Sequence, residues 1–117
     1  MFIEVLKSKI SHATITQAEL HYEGSITIDS DVLKAAGIIP GEKVHVLNES
    51  SGHRLETYVI AGNPASGVVC LNGPAARHGY VGDRVIILSY GLLEADEARH
   101  LVPKIVYLGP SNKIKKS

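Results

Sequence analysis

Gly24 and Ser25 are the two adjacent residues with the clearest potential for chemistry on the chain itself. The glycine carbonyl has no side chain beside it to block an attacking group, and the serine hydroxyl follows in the next residue. Attack of that hydroxyl on the carbonyl would turn the amide into an ester, if the protein strained the bond and stabilised the oxyanion. Glycine would permit the unusual backbone geometry. The alternative is an ordinary turn or strand end.

Three more segments carry polar side chains suited to an active site. Arg54 could bind a carboxylate through a bidentate pair, or it could be a solvated arginine after a turn. Tyr58 could donate a proton, or pack as an ordinary strand tyrosine. Asn72 and Gly73 offer a side-chain amide and backbone donors for an oxyanion, or form a simple turn. Lys9 could serve a site, or protect an edge strand from aggregation.

Taken together, these residues resemble the pyruvoyl-dependent aspartate 1-decarboxylases. The resemblance extends from about Lys7 to about Tyr107. It rests on four features: Lys9, Tyr22-x-Gly24-Ser25 followed by Thr27-Ile28-Asp29, Arg54-x-x-Thr57-Tyr58, and Asn72-Gly73-x-Ala75-Ala76.

The resemblance implies a chain that cuts itself between Gly24 and Ser25. Residues 1–24 would become a β chain, and residues 25–117 an α chain whose Ser25 is converted to a covalent pyruvoyl group. That ketone would form a Schiff base with L-aspartate and accept the electrons released with CO2, as pyridoxal phosphate does in other enzymes. The product would be β-alanine for pantothenate and coenzyme A synthesis. Neither pyridoxal phosphate nor a metal would be needed.

The resemblance also implies residue roles and partners. Ser25 and Tyr58 would be catalytic, with Tyr58 as the proton donor, and Thr57 would support the cleavage step. A homotetramer with sites at subunit interfaces is implied, and a maturation factor could assist cleavage. Tyr22 would lie beside the cleavage point, and the substrate would be bound by Lys9, Arg54, Thr57, Asn72, Gly73, Pro74 and Ala75.

Two positions depart from the family pattern. Ser11 stands where a histidine is common, and strand alternation would send the neighbouring His12 to the opposite face. Pro74 stands where alanine is usual and lacks a backbone N–H. Alternation also places Arg54 and Tyr58 on one face of a strand and Thr57 on the other. We therefore expect the site to be shared between subunits, unless a bulge intervenes.

Composition excludes several other classes. The chain has 117 residues, with 12 Lys plus Arg balanced by 12 Asp plus Glu, which argues against a nucleic-acid surface. Cys70 is the single cysteine, so an internal disulfide is excluded, and we expect a small buried hydrophobe there. No apolar run approaches the ~20 residues that span a bilayer, and the N-terminus lacks signal-peptide features, which predicts a cytoplasmic protein without a membrane partner. The alternative function is a non-enzymatic double-psi-barrel binding module or DNA-binding regulator.

The elements that must position these residues are mainly short β-branched strands. We predict strands at 2–6, 13–16, 25–28, 43–47, 55–60, 68–71, 84–89 and 104–108, and helices at 31–36, capped by Ser30, and 94–100, with one helical turn after Gly73. Residues 24–47 and 67–88 form a weak repeat. Two copies fit a closed barrel with pseudo-twofold symmetry. The predicted fold is one domain over 1–117, a mainly β, six-stranded double-psi β-barrel with short helices, as the family resemblance also implies.

Overall fold

The computed structural model describes residues 1–115, which form eight strands and four short helices. The α-helices are α1 (Ser30–Ala36) and α2 (Ala95–His100), and 3-10 helices span Gly73–His78 and Pro110–Asn112. The strands are β1 (Phe2–Thr14), β2 (Gln17–Glu19), β3 (Ser25–Asp29), β4 (Lys43–Asn48), β5 (Arg54–Gly62), β6 (Val69–Asn72), β7 (Arg84–Glu94) and β8 (Lys104–Tyr107).

The strands form a single sheet in the order β2-β6-β3-β5-β4-β7-β1-β8. Only Ile15 and Thr16 separate β1 from β2, so the chain itself joins the two sides of the sheet. Thr16 N donates to Val69 O at 2.8 Å, and Val69 N donates to Thr16 Oγ1 at 2.9 Å. These bonds close a barrel with six strand positions, in which β1 and β2 share one position and β8 is an additional strand outside β1.

The internal repeat appears as a local twofold relationship. Strands β3 and β6 pair antiparallel with Thr27 opposite Cys70, and β4 and β7 pair antiparallel with Val46 opposite Ile87. Each of these pairs joins equivalent positions of the two sequence repeats. Strand β5 lies parallel to β3 as β2 lies parallel to β6, which completes the symmetry. The predicted fold class is confirmed, although the strand count of the whole sheet is eight.

The barrel interior is filled by aliphatic side chains from every strand position. Burial of one such side chain contributes about 1.5–3 kcal/mol, so this layer supplies the main stabilisation of the barrel. Its fully buried members include Ile10, Ile15, Ile26, Ile28, Val46, Val59, Leu71 and Ile87.

A bulge in β1 changes one expectation from the sequence. Ile10 pairs with Ile87 and Ala13 with Val85, so Ser11 and His12 together face one residue of β7. His12 has φ +64°, and both Ile10 and Ala13 are fully buried although three positions separate them. Inward-facing and outward-facing positions of β1 therefore exchange places across the bulge. His12 is exposed, like the partly exposed Lys9, whereas Ser11 is buried, so the expectation from simple alternation was wrong.

Helix α1 begins one residue earlier than predicted. Asp29, not Ser30, is the N-cap, and its carboxylate accepts from Asp31 N at 2.9 Å. Gly37 ends the helix with φ +68°, as predicted. The same Asp29 carboxylate accepts from Ala65 N and Gly67 N, so it also ties the 63–67 turn to the barrel. Within residues 1–115, the structure contains no helix long and apolar enough to cross a membrane.

Candidate active site

Ser25 is the first residue of β3 and is completely buried. Ser25 Oγ lies 3.4 Å from the Glu23 carbonyl oxygen, a long contact that orients the hydroxyl only weakly. The proposed nucleophile is therefore enclosed by protein instead of facing bulk water.

Asn72 holds the Ser25 hydroxyl directly. The two residues face each other in the antiparallel β3–β6 pair. Asn72 Nδ2 donates to Ser25 Oγ at 2.8 Å and to Thr27 Oγ1 at 2.9 Å. Both amide protons thus have hydroxyl acceptors within the chain. Sequence reasoning placed Asn72 at the substrate but missed this bond, which the pairing of the two repeats could have indicated.

Cys70 fixes the orientation of the Asn72 amide. Its Sγ lies 3.2 Å from Asn72 Oδ1, within range for a hydrogen bond donated by the thiol. Burial raises the pKa of the Cys70 thiol, and the negative charge of Glu19 raises it further. The thiol therefore keeps its proton at neutral pH and remains a donor. Cys70 is buried as expected, but it also supports the site as a polar group.

Gly73 lies against the backbone that precedes the Gly24-Ser25 bond. It has φ +62°, and a Cβ at this position would collide with the Tyr22 carbonyl oxygen and lie 2.9 Å from Gly24 N. Gly24 does not have a positive φ, and a Cβ there would lie 3.6 Å from Pro74 Cδ, an ordinary contact distance. The backbone thus requires glycine at position 73, and the conformational need for glycine expected at position 24 is not seen there.

A cleft of about 370 Å³ opens beside Gly24. It contains five residues that the sequence predicted for the site and three that it did not. The predicted ones are Gly24, Thr57, Tyr58, Pro74 and Ala75, and the others are Leu55, Glu56 and His78. No local motif marks Glu56 or His78, so only the three-dimensional arrangement identifies them.

The start of β3 explains why Thr57 and Tyr58 share this cleft. The parallel register places Ile26 beside Val59, and β3 begins one residue before Ile26. The part of β5 that precedes Val59 thus extends beyond the start of β3. Side chains on both faces of this part of β5 can border the cleft. Thr57 and Tyr58 thus line one cleft although alternation places them on opposite faces, whereas Arg54 does not line it. The expectation that a site containing all three residues is shared between subunits stays a prediction.

Arg54 and Lys9 lie away from this cleft. Arg54 is exposed, and its Nη2 donates to Tyr90 Oη at 3.3 Å. Lys9 lies on β1 between Leu88 and Ile105 and is partly exposed. Tyr22 is 59% exposed and lines a separate open surface with Leu20, His21 and Glu23. Within one chain, the structure thus divides the predicted residues into a cleft group and an outer group.

Comparison with known proteins supplies the family. The sequence model of the family described as Aspartate decarboxylase matches residues 1–115. Aspartate 1-decarboxylase of Listeria monocytogenes serotype 4a (strain HCC23) is 54% identical over 114 residues, covering 97% of this chain and 90% of the relative. Aspartate 1-decarboxylase of Caldicellulosiruptor saccharolyticus is 56% identical over 116 residues, covering 99% and 91%.

Among solved structures, the rationally designed mkDPBB_sym_86 protein has a TM-score of 0.49 and 19% identity, covering 66% of this chain and 90% of that protein. The sequence matches extend over nearly the whole chain, including both sides of the Gly24-Ser25 bond. The chain therefore belongs to the aspartate decarboxylase family.

Proposed function

We propose that this protein decarboxylates L-aspartate to β-alanine and CO2, after cutting its own backbone between Gly24 and Ser25. Family membership supports the reaction, and the hydrogen bond from Asn72 Nδ2 to Ser25 Oγ carries the cleavage step. The β-alanine would enter pantothenate synthesis, and the enzyme would act in the cytoplasm as a homotetramer.

Cleavage begins when Ser25 Oγ attacks the Gly24 carbonyl carbon. A C–O bond forms, the C–N bond breaks, and the hydroxyl proton passes to the departing nitrogen, which leaves an ester. Asn72 fixes the rotamer of Ser25 and stabilises the oxygen as it loses its proton. A donor aimed at the oxyanion that develops on the Gly24 carbonyl oxygen is worth about 10²–10³ in rate. Thr57, which lines the same cleft as Gly24, is the side chain that would stabilise the carbonyl oxygen.

Elimination then completes the cut. Loss of the residue 25 Cα proton forms a Cα–Cβ double bond and breaks the Cβ–Oγ bond, so residues 1–24 leave with a free carboxylate. Water adds to the resulting dehydroalanine and ammonia departs, which leaves a pyruvoyl group on residues 25–117. The site suits this group because residue 25 is buried against the Asn72 amide, while the adjacent Gly24 borders an open cleft.

The pyruvoyl group supplies the electron sink that side chains alone cannot provide. The chain's own residues bind the substrate and move protons around it. Tyr58 is 40% exposed at the cleft, where its hydroxyl can donate a proton to the carbon that loses CO2. Ala75 and Pro74 line the same cleft as Gly24 and give that part of it an apolar wall.

Arg54 and Lys9 would act across a subunit interface. Both lie away from the chain's own cleft, on the outside of the barrel, where a neighbouring copy can approach. A guanidinium there could bind a substrate carboxylate in the neighbour's cleft through a bidentate pair. Mixed oligomers of Arg54→Ala and Tyr58→Phe chains test this arrangement, because activity returns only if these two residues come from different subunits at one site.

The reaction itself is tested with purified, processed protein and L-aspartate. We expect stoichiometric β-alanine and CO2, detected by chromatography and gas release. A Ser25→Ala chain is the matched control and should produce neither. Absence of β-alanine from fully processed wild-type protein would overturn the proposal.

A further inference from the structure

The imidazole of His78 lines the cleft and takes no part in the steps proposed above. His78 is the last residue of the 3-10 helix Gly73–His78, and it lines the cleft together with Gly24, Thr57 and Tyr58. Its ring is partly buried and packs edge to face with the His53 ring at a centroid distance of 5.3 Å. The imidazole therefore borders the cavity that receives the substrate.

The environment of its two nitrogens determines where the imidazole carries its proton. Nδ1 is buried and has no hydrogen-bond partner among residues 1–115. A buried N–H without an acceptor costs about 1–3 kcal/mol, whereas a buried lone pair is tolerated better. The neutral ring therefore carries its proton on Nε2. Because His78 lines the cleft, this N–H is the donor that its side chain can offer there.

Such a donor would add to the hydroxyls of Thr57 and Tyr58 in binding an anionic substrate in the cleft. Among the described lining residues, His78 is the only one whose side chain contains nitrogen. Pro74, which would begin the helical turn with a backbone donor if it were another residue, has none. Glu56 also borders the cleft, but its carboxylate lies 3.1 Å from His45 Nε2 and 3.5 Å from Lys43 Nζ. These partners reduce its repulsion of a second carboxylate.

We propose that His78 Nε2–H binds a carboxylate of the substrate in this cleft and replaces the backbone donor that Pro74 lacks. The inference rests on the proposed function and deepens it, because it assigns a substrate-binding residue that the family resemblance does not include. Hydrogen bonds to charged groups are stronger than those between neutral groups, so loss of this donor should weaken substrate binding by about tenfold or more.

Three substitutions distinguish a donor at Nε2 from simple packing. Glutamine can place an amide N–H near the position of Nε2, asparagine reaches only to that of Nδ1, and leucine keeps bulk without a donor. We expect His78→Gln to retain the wild-type KM for aspartate within about threefold, and both His78→Asn and His78→Leu to raise it about tenfold or more. In all three, kcat and self-cleavage should remain close to wild type. A wild-type KM in His78→Leu, or equal rescue by asparagine and glutamine, would overturn the proposal.

A second measurement does not depend on turnover. Nitrogen-15 NMR of the processed protein reports the His78 tautomer, and succinate serves as a dicarboxylate probe without an amino group. We expect the Nε2–H tautomer and a shift of the His78 signals on adding succinate. An Nδ1–H tautomer, or signals unchanged by saturating succinate, would contradict the proposal. A wild-type protein that responds to succinate but does not decarboxylate aspartate would refute the proposed function alone.

Discussion

Asn72 Nδ2 lies 2.8 Å from Ser25 Oγ, across the antiparallel pair that joins the two halves of the barrel. The bond is buried and is reinforced on its far side by the Cys70 thiol. The internal repeat thus does more than close the barrel, because the end of β6 in the second repeat holds the proposed nucleophile at the start of β3 in the first.

Removing the Asn72 donor should slow self-cleavage. In Asn72→Ala we expect the cleavage rate to fall by about 10²-fold, because Ser25 loses the group that orients its hydroxyl for attack. The rate is measured by gel electrophoresis of freshly purified protein over time. Thr27→Val is the control, since it removes the second acceptor of the Asn72 amide and leaves the bond to Ser25 in place. Wild-type cleavage in Asn72→Ala would contradict this role.

Gly73 and Gly24 should differ in their tolerance of alanine. Gly73→Ala forces a side chain into a positive-φ position against the Tyr22 carbonyl, and we expect a loss of about 1–3 kcal/mol of unfolding free energy. Gly24→Ala makes only an ordinary contact with Pro74 and should leave stability nearly unchanged. Both changes are compared by urea unfolding in a Ser25→Ala background, which prevents cleavage. Equal stability of the two variants would refute the prediction.

Most of the barrel was predictable because its strands are β-branched runs whose alternation determines their inner face. The two ends of β1 were predicted as strands, but its middle was not, since Ser8, Lys9, Ser11 and His12 interrupt the apolar pattern and pairing with β7 and β8 maintains the strand there. The bulge at His12 is invisible in the sequence for the same reason. The cleft residues that belong to sequence motifs were predicted. Glu56 and His78 belong to no motif, and they border one cleft only because β5 extends past the first residue of β3.

Tyr58→Phe should separate cleavage from turnover. The variant keeps the ring that packs beside the cleft but loses the hydroxyl, so we expect normal self-cleavage and a fall in kcat of about 10²–10⁴. Tyr80→Phe is a suitable control because Tyr80 is 82% exposed and lies outside the cleft lining. Full turnover by Tyr58→Phe would reject the role of Tyr58 as proton donor.

Glu42 should make the unfolding free energy depend on pH in the acid range. Burial tends to raise its pKa, but hydrogen bonds from Lys7, Ser89 and the Ile39 backbone outweigh burial, and the pKa is lowered from its ordinary 4.5. Lys7 Nζ lies 2.7 Å from Glu42 Oε2. Because the folded-state pKa of Glu42 is depressed, its ionised carboxylate stabilises the fold. This stabilisation is fully present above the unfolded-state pKa and is lost as the pH falls through the folded-state pKa.

The comparison of wild type with Glu42→Gln measures that contribution, with Ser25→Ala in both chains. We expect wild type to be more stable at pH 6–7, and the difference to shrink progressively below about pH 4.5 as Glu42 becomes protonated. Urea unfolding at a series of pH values provides the readout. A difference that stays constant down to pH 3, or grows with acid, would contradict the assigned ion pair.

Intact mass spectrometry of the purified wild-type chain beside Ser25→Ala tests the central claim most directly. We predict two wild-type fragments that divide between Gly24 and Ser25, the larger one beginning with a ketone that borohydride reduces, and a single uncut Ser25→Ala chain. A wild-type chain that stays intact after prolonged incubation with cell extract, or a cut at any other bond, would contradict the account.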